Sequence, residues 1–210
     1  MPSEHTTGPA YRIETRRLVL RCWEPSDAPL LKAAVDASLD HLRPWMPWAE
    51  DEPECLEAKI ERLRSWRGKF DLGQDFVYGV FAPSESRVLG SSGLHTRAGD
   101  QAREIGYWIH VDHINQGLAT EVAAALTKVA FEVDGVVRVE TRCDPENVRS
   151  AAVPRKLDFV HEATLRHRTT DGRGDWRDSM VWTLLAHEYE DSRAQRAELK
   201  AYDAALRRIL

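Results

Sequence analysis

Cysteine is scarce: three residues in a 210-residue chain, Cys22, Cys55 and Cys143. An odd count without a Cys-x-x-Cys spacing provides neither a disulfide framework nor a thiolate zinc site. Histidine does not fill the gap. The eight are scattered along the chain, and no metal centre is expected. Basic charge is also in deficit, with 29 Lys and Arg against 34 Asp and Glu and a net charge of −5. That balance argues against nucleic acid as the main partner, because neutralising phosphates needs a basic surface, and it leaves room for an amine. No run approaches the about 18 apolar residues of a membrane span. Residues 1–9 lack the basic and apolar regions of a secretory signal, so 1–10 reads as a disordered leader on a cytoplasmic protein. Internal repeats and low-complexity segments are absent.

What remains is ordinary globular material, 42% hydrophobic and 30% charged, enough for one domain over 11–188. Alternation over 18–23 predicts a strand. A Pro25-Ser26-Asp27 turn and a helix carrying Leu31, Val35, Leu39 and Leu42 follow it. Arg43-Pro44-Trp45-Met46-Pro47-Trp48 is a stiff loop with two large aromatics. The acids at 50–54 precede a second helix, with Pro53 expected in its first turn. From Phe76 the period becomes two: 76–81, 88–95 and 103–111 predict three consecutive antiparallel strands. A helix over 119–132, a strand over 136–143 and a short helix from Asn147 to Leu157 come next. Two strands, 159–168 and 175–185, then face each other across residues 170–174. The expected fold is a mixed α/β (α+β) sheet, antiparallel at the front, with 104–143 as a parallel strand–helix–strand crossover. Residues 189–210 predict a separate amphipathic helix with Leu199, Tyr202, Leu206 and Ile209 on one stripe. It can dock on the domain or join two copies into a homodimer.

Asn115-Gln116-Gly117-Leu118-Ala119-Thr120-Glu121 joins the third of those strands to the long helix. A small-residue turn that opens a helix presents unpaired N–H groups and the positive end of the helix dipole. Such a turn binds phosphate without a charged side chain. A pyrophosphate-bearing cofactor fits it; so does a plain tight connection.

The element order and several local motifs together resemble the GCN5-related N-acetyltransferase (GNAT) superfamily, in its RimJ/RimL-like ribosomal-protein-alanine acetyltransferase branch. Glu104-Ile105-Gly106-Tyr107-Trp108 is similar to that branch's central strand, and Gly117-Leu118-Ala119-Thr120-Glu121 to its acyl-CoA pyrophosphate loop. Asn147-x-x-Ser150 with Lys156-Leu157-x-Phe159 resembles the next helix and its exit. Residues 41–48 are similar to the acceptor-side loop, and Trp176-Arg177-Asp178 to the entry of the last strand. The likeness covers roughly 13–188. It departs at Ile114 and Asn115, where a charged residue and a glycine are common. It departs again at Pro154, where many relatives carry a tyrosine that protonates the leaving thiolate, and at Asp158, usually glycine.

The resemblance implies an acyl-CoA-dependent N-acyltransferase. Acetyl-CoA is the co-substrate, and a primary amine, on a protein N-terminus or a small or peptide-like molecule, attacks it directly in a ternary complex. It assigns the cofactor to Ile109, His110 and Val111, whose amides meet the developing oxyanion, to Asn115, Gln116, Gly117, Leu118, Ala119 and Thr120 at the pyrophosphate, and to Asn147 and Lys156, with Arg149 as another cation. Glu104 is the candidate general base. Ser150 is the candidate donor to the thiolate, since 154 is proline. Trp45, Trp48 and His95 line the acceptor side, helped by the acids at 50–54. Other readings remain open: a succinyl donor met by Arg97 or Arg142, a non-catalytic acyl-CoA-binding module, and an interaction protein.

Overall fold

A computed structural model describes residues 9–171 and 174–210. The leader assigned to 1–10 falls almost wholly outside that range, as does the centre of the turn at 170–174. The strands are β1 (Arg12–Glu14), β2 (Val19–Cys22), β3 (Phe76–Phe81), β4 (Val88–His95), β5 (Ala102–Ile109), β6 (Arg138–Cys143), β7 (Val160–Thr170), β8 (Trp176–Leu185) and β9 (Lys200–Tyr202). The helices are α1 (Ala28–Leu42), α2 (Leu56–Asp71), α3 (Leu118–Glu132), α4 (Val148–Lys156) and the single turn α5 (Ala186–Tyr189). One nine-stranded sheet runs β7-β8-β6-β5-β4-β3-β2-β1-β9. Every pairing is antiparallel except β5 with β6. The crossover through α3 that period and order predict is therefore present.

Alternation along β5 divides the molecule. Ile105 and Ile109 enter the larger core, which packs Val122, Leu126 and Val129 of α3 and Ala151 and Val153 of α4. Trp108 enters the smaller core under α1, with Leu31, Val35 and Leu42. One strand thus turns a side chain alternately to α3 and α4 and to α1 and α2.

Two expectations are corrected. Beyond Tyr189, the end of α5, residues 190–210 do not form the expected helix: β9 pairs with β1, Ala201 opposite Ile13, and is fully buried at Ala201. The β1 edge offers unpaired backbone groups that a strand satisfies. Asp203 then takes the amides of Ala205 and Arg207 at 2.9 Å each and the Arg207 guanidinium at 2.7 Å, a side-chain turn that competes with helix. The supposed apolar stripe dissolves, with Leu206 70% exposed. The tail belongs to this chain's own sheet and no longer argues for a dimer. Second, α2 starts at Leu56 behind Cys55, so Pro53 lies outside it.

Candidate active site

β5 and β6 pair only from Ala102↔Arg138 to Ile105↔Thr141, although β5 runs on to Ile109. Beyond Ile105 the two strands part. Two cavities open on this gap. The larger, about 900 Å³, lies toward α1 and α2 and the β7–β8 hairpin. The smaller, about 370 Å³, lies between the end of β5, the turn before α3, and α4. Trp45, Met46, Tyr107, Trp108, Asn147 and Ser150 line both. A reagent in each would meet at these six residues.

The smaller cavity ends on the turn before α3. Gly117 caps that helix at φ 79°, ψ 5° and Asn115 stands at φ 58°. Both are left-handed, the region that glycine occupies freely and asparagine tolerates best among other residues. Asparagine at the position of a common second glycine is thereby explained. None of the N–H groups of residues 115–120 has a hydrogen-bond partner among the described residues. Asn115, Gly117, Leu118, Ala119 and Thr120 line the cavity; Gln116 does not, its side chain being turned to the Asp112 carbonyl at 3.2 Å. The bare amides at the positive end of a 15-residue helix suit a pyrophosphate. Lys156 and Arg149 stand exposed at the other wall, with no ion pair among the described residues. Ile114 brings no charge, but Arg17, from the β1–β2 turn, braces the loop from behind. It donates to the Gln116 carbonyl at 2.9 Å and to Glu121 at 2.7 Å.

The amides assigned to the oxyanion are largely committed. His110 N–H donates to the Leu89 carbonyl at 2.8 Å and Val111 N–H to Ser38 Oγ at 3.2 Å. Neither residue lines either cavity, so the structure does not bring His110 and Val111 to the space where their cofactor contacts were expected. The His110 ring accepts from the Asp112 amide, and burial pushes its pKa down. Because successive amides of a strand face opposite edges, those of Tyr107 and Ile109 point away from β4, into the gap. Ile109 also lines the smaller cavity.

At the junction, Asn147 Oδ1 caps α4 through the Ser150 amide at 3.0 Å. Pro154 sits inside α4 and is buried. It supplies no N–H to the Ser150 carbonyl, its partner four residues back. Tyr107 Oη stands there instead, 3.3 Å from that carbonyl and 3.2 Å from Ser150 Oγ. Burial raises the Tyr107 phenol well above its ordinary value, against the opposing pull of Ser150. The neighbouring Cys143 thiol is also pushed up by burial, against the pull of Trp182 and Ser150. It is no activated nucleophile.

The larger cavity gathers four tryptophans, Trp45, Trp48, Trp66 and Trp108, from the 43–51 loop, α2 and β5. Trp48 and Trp108 pack with ring centroids 6.3 Å apart. Arg177 lies over Trp45 and is held by Asp144 at 2.6 Å, tying β8 to the loop. Glu104 lines this cavity, 8% exposed. Arg97 occupies its Oε1 at 2.5 Å, while Arg142 stands 3.7 Å from Oε2. His95, paired in register with Glu104, lines it too. Its Nδ1 lies 3.0 Å from Asp75. Burial disfavours the Asp75 carboxylate, but the His95 bond and charge, with Arg97 and the Thr96 amide, together outweigh it and hold the pKa below the usual 3.8. Gly93 makes room, since a Cβ there would meet the imidazole at 2.6 Å. The acids at 50–54 do not line the cavity. Glu52 is buried against Lys59, and Glu54 pairs with Arg62. These carboxylates are neutralised by neighbours on α2 and are not offered to an amine.

Sequence reasoning missed Tyr107, Trp66, Trp108 and Arg17. Period-two alternation was the available signal for Tyr107 and Trp108: residues one apart on β5 face opposite cores. Nothing local marks Arg17, 99 residues from its Gln116 contact. Among the described residues no group of three His, Cys, Asp or Glu could hold a metal ion, and no helix is long and apolar enough to cross a membrane.

The model of the acetyltransferase (GNAT) domain family matches residues 17–160. The [ribosomal protein uS5]-alanine N-acetyltransferase of Escherichia coli (strain K12) is 26% identical over 192 residues, covering 88% of this chain and 96% of that one. Mycobacterium smegmatis RimJ, solved in complex with a CoA disulfide, superposes with a TM-score of 0.76 at 23% identity, over 89% of this chain and 91% of that one. RimL, a ribosomal L7/L12 alpha-N-protein acetyltransferase solved with coenzyme A, gives 0.74 at 20% identity, over 83% and 97%.

Proposed function

This chain belongs to the acetyltransferase (GNAT) domain family, and we propose that it transfers the acetyl group of acetyl-CoA to a primary amine, by direct attack in a ternary complex. The observation that carries the reading is the meeting of the two cavities at Trp45, Met46, Tyr107, Trp108, Asn147 and Ser150, with the unpartnered amides of Asn115, Gly117, Leu118, Ala119 and Thr120 at the far end of the smaller one. The cofactor arm lies in the gap beside β5, its pyrophosphate on the amides of 115–120 and its outer phosphate near Lys156 and Arg149. Acetyl-CoA supplies the activated acyl carbon when bound. The amide of Ile109 faces the carbonyl oxygen. Glu104 takes the acceptor's proton through water at Oε2, the oxygen that Arg97 leaves open. Ser150 meets the departing sulfur, and the tryptophans and His95 form the acceptor's walls.

The acceptor is a protein N-terminal amine, a reading supported by relatives named for ribosomal-protein acetylation. A small-molecule amine is the second reading, favoured by the four tryptophans that enclose the larger cavity. Thiol release from acetyl-CoA tests both. Turnover of short peptides with a free N-terminus, abolished when that terminus is blocked, supports the first. Turnover confined to aromatic amines supports the second. Tight CoA binding with no thiol release against any amine refutes both.

A further inference from the structure

The phenol at the junction of the cavities reaches two oxygens of a single residue. Tyr107 Oη is 3.3 Å from the Ser150 carbonyl and 3.2 Å from Ser150 Oγ. A phenol carries one hydrogen. Burial keeps that hydrogen in place across any working pH. Pro154 has already removed the helical N–H that would occupy the Ser150 carbonyl, so this turn of α4 is anchored to β5 through Tyr107. The Ser150 amide is held by Asn147 on the opposite side. Backbone and hydroxyl of Ser150 are fixed from two elements at once, at a residue that lines both cavities.

We propose that Tyr107 is a positioning residue for the leaving group: it holds Ser150 so that the serine hydroxyl hydrogen points at the departing sulfur. The inference rests on the acetyl-transfer reading. The nitrogen lone pair forms the C–N bond, the C–S bond breaks, and its electron pair goes to sulfur. Ser150 donates a hydrogen bond to that thiolate, not a proton, because a serine hydroxyl is a far weaker acid than a thiol. The proton lost by the amine leaves through Glu104 and water, and solvent protonates the released thiolate. Tyr107 keeps its own hydrogen throughout, consistent with a phenol whose ionisation burial suppresses.

The test is a double-mutant cycle read as kcat and KM for acetyl-CoA. Tyr107→Phe lowers kcat about tenfold, the loss of one neutral hydrogen bond, with KM unchanged. Ser150→Ala lowers it at least as much, and the double variant is no slower than Ser150→Ala alone. Equal kcat in Tyr107→Phe and wild type, or additive losses in the double variant, overturns the proposal. Pro154→Ala separates positioning from mere support, because it restores the N–H that satisfies the Ser150 carbonyl. In that background the Tyr107→Phe defect persists if Tyr107 orients the hydroxyl. It vanishes if Tyr107 only satisfies the carbonyl, which overturns the proposal. A wild-type protein that binds CoA without turnover counts against the acetyl-transfer reading; a working wild type with an indifferent Tyr107 counts against this inference alone.

Discussion

Gly117 offers a prediction whose magnitude follows from one dihedral angle. The residue holds φ 79° at the start of α3. A Cβ there would find only Arg17 Nη2, at 3.6 Å, an ordinary contact. Gly117→Ala therefore introduces no clash, and its whole effect is the left-handed backbone, about 1–2 kcal/mol for an L-residue. That strain must surface in one of two places. If the turn keeps its shape without cofactor, the folded state carries the cost, and the melting temperature falls by roughly 2–8 °C at the about 2–4 °C per kcal/mol typical of this chain length. If the turn relaxes and re-forms only around the pyrophosphate, stability is nearly unchanged and CoA binds about 5- to 30-fold more weakly. Thermal unfolding and calorimetric titration of the same variant measure both, and the two losses together should come to about 1–2 kcal/mol. No change in either would mean that Gly117 is not left-handed in solution, and the amide cradle would fall with it. Gly117→Trp adds bulk to strain and should abolish acyl transfer; normal turnover would remove the cofactor from this loop.

Three further outcomes are expected. Arg17→Ala frees the loop from its brace and should weaken CoA binding by roughly fivefold, about the worth of one exposed ion pair, while pantetheine, which lacks the pyrophosphate, binds as before. Glu104→Gln should lower kcat more at pH 7 than at pH 9 if Glu104 is the base, and equally at both if the Arg97-paired carboxylate only orients the acceptor. Asp75 has its pKa depressed by His95 against the cost of burial. The unfolded chain therefore takes up the proton first, and the pair adds stability above about pH 4 that disappears as the pH falls below it. Denaturant midpoints at pH 7 and pH 3 should differ less in Asp75→Asn than in wild type.

The sheet was legible wherever one face is buried and the other is not, or where a run is bounded by turn residues. β3 and β4 fall at the ends that alternation predicts, and α3 begins one residue early, at Leu118, because Gly117 takes the cap. β1 and β9 escaped because three-residue strands carry too few residues to display a period. The tail read as helix because Leu199, Tyr202, Leu206 and Ile209 share a helical spacing by chance, while the decisive feature, the open edge of β1, lies far away in sequence. Within the candidate site, the turn before α3 and Ser150, which line its cavities, stood out in the sequence because their signals are local. Tyr107 was not, since its meaning depends on a proline 47 positions later whose missing N–H it offsets. The acids at 50–54 misled for the complementary reason: composition shows carboxylates, and only packing shows that Lys59 and Arg62 neutralise Glu52 and Glu54 and that none of the four lines the cavity.

The central claim is that the bare amides of residues 115–120 hold the pyrophosphate of a CoA thioester. Calorimetric titration with acetyl-CoA and, in parallel, acetyl-pantetheine tests it most directly. The account predicts micromolar binding of acetyl-CoA and at least about 100-fold weaker binding of the truncated donor, the order of 3 kcal/mol expected for several charge-assisted hydrogen bonds. Equal affinities, or no binding of either, would contradict it.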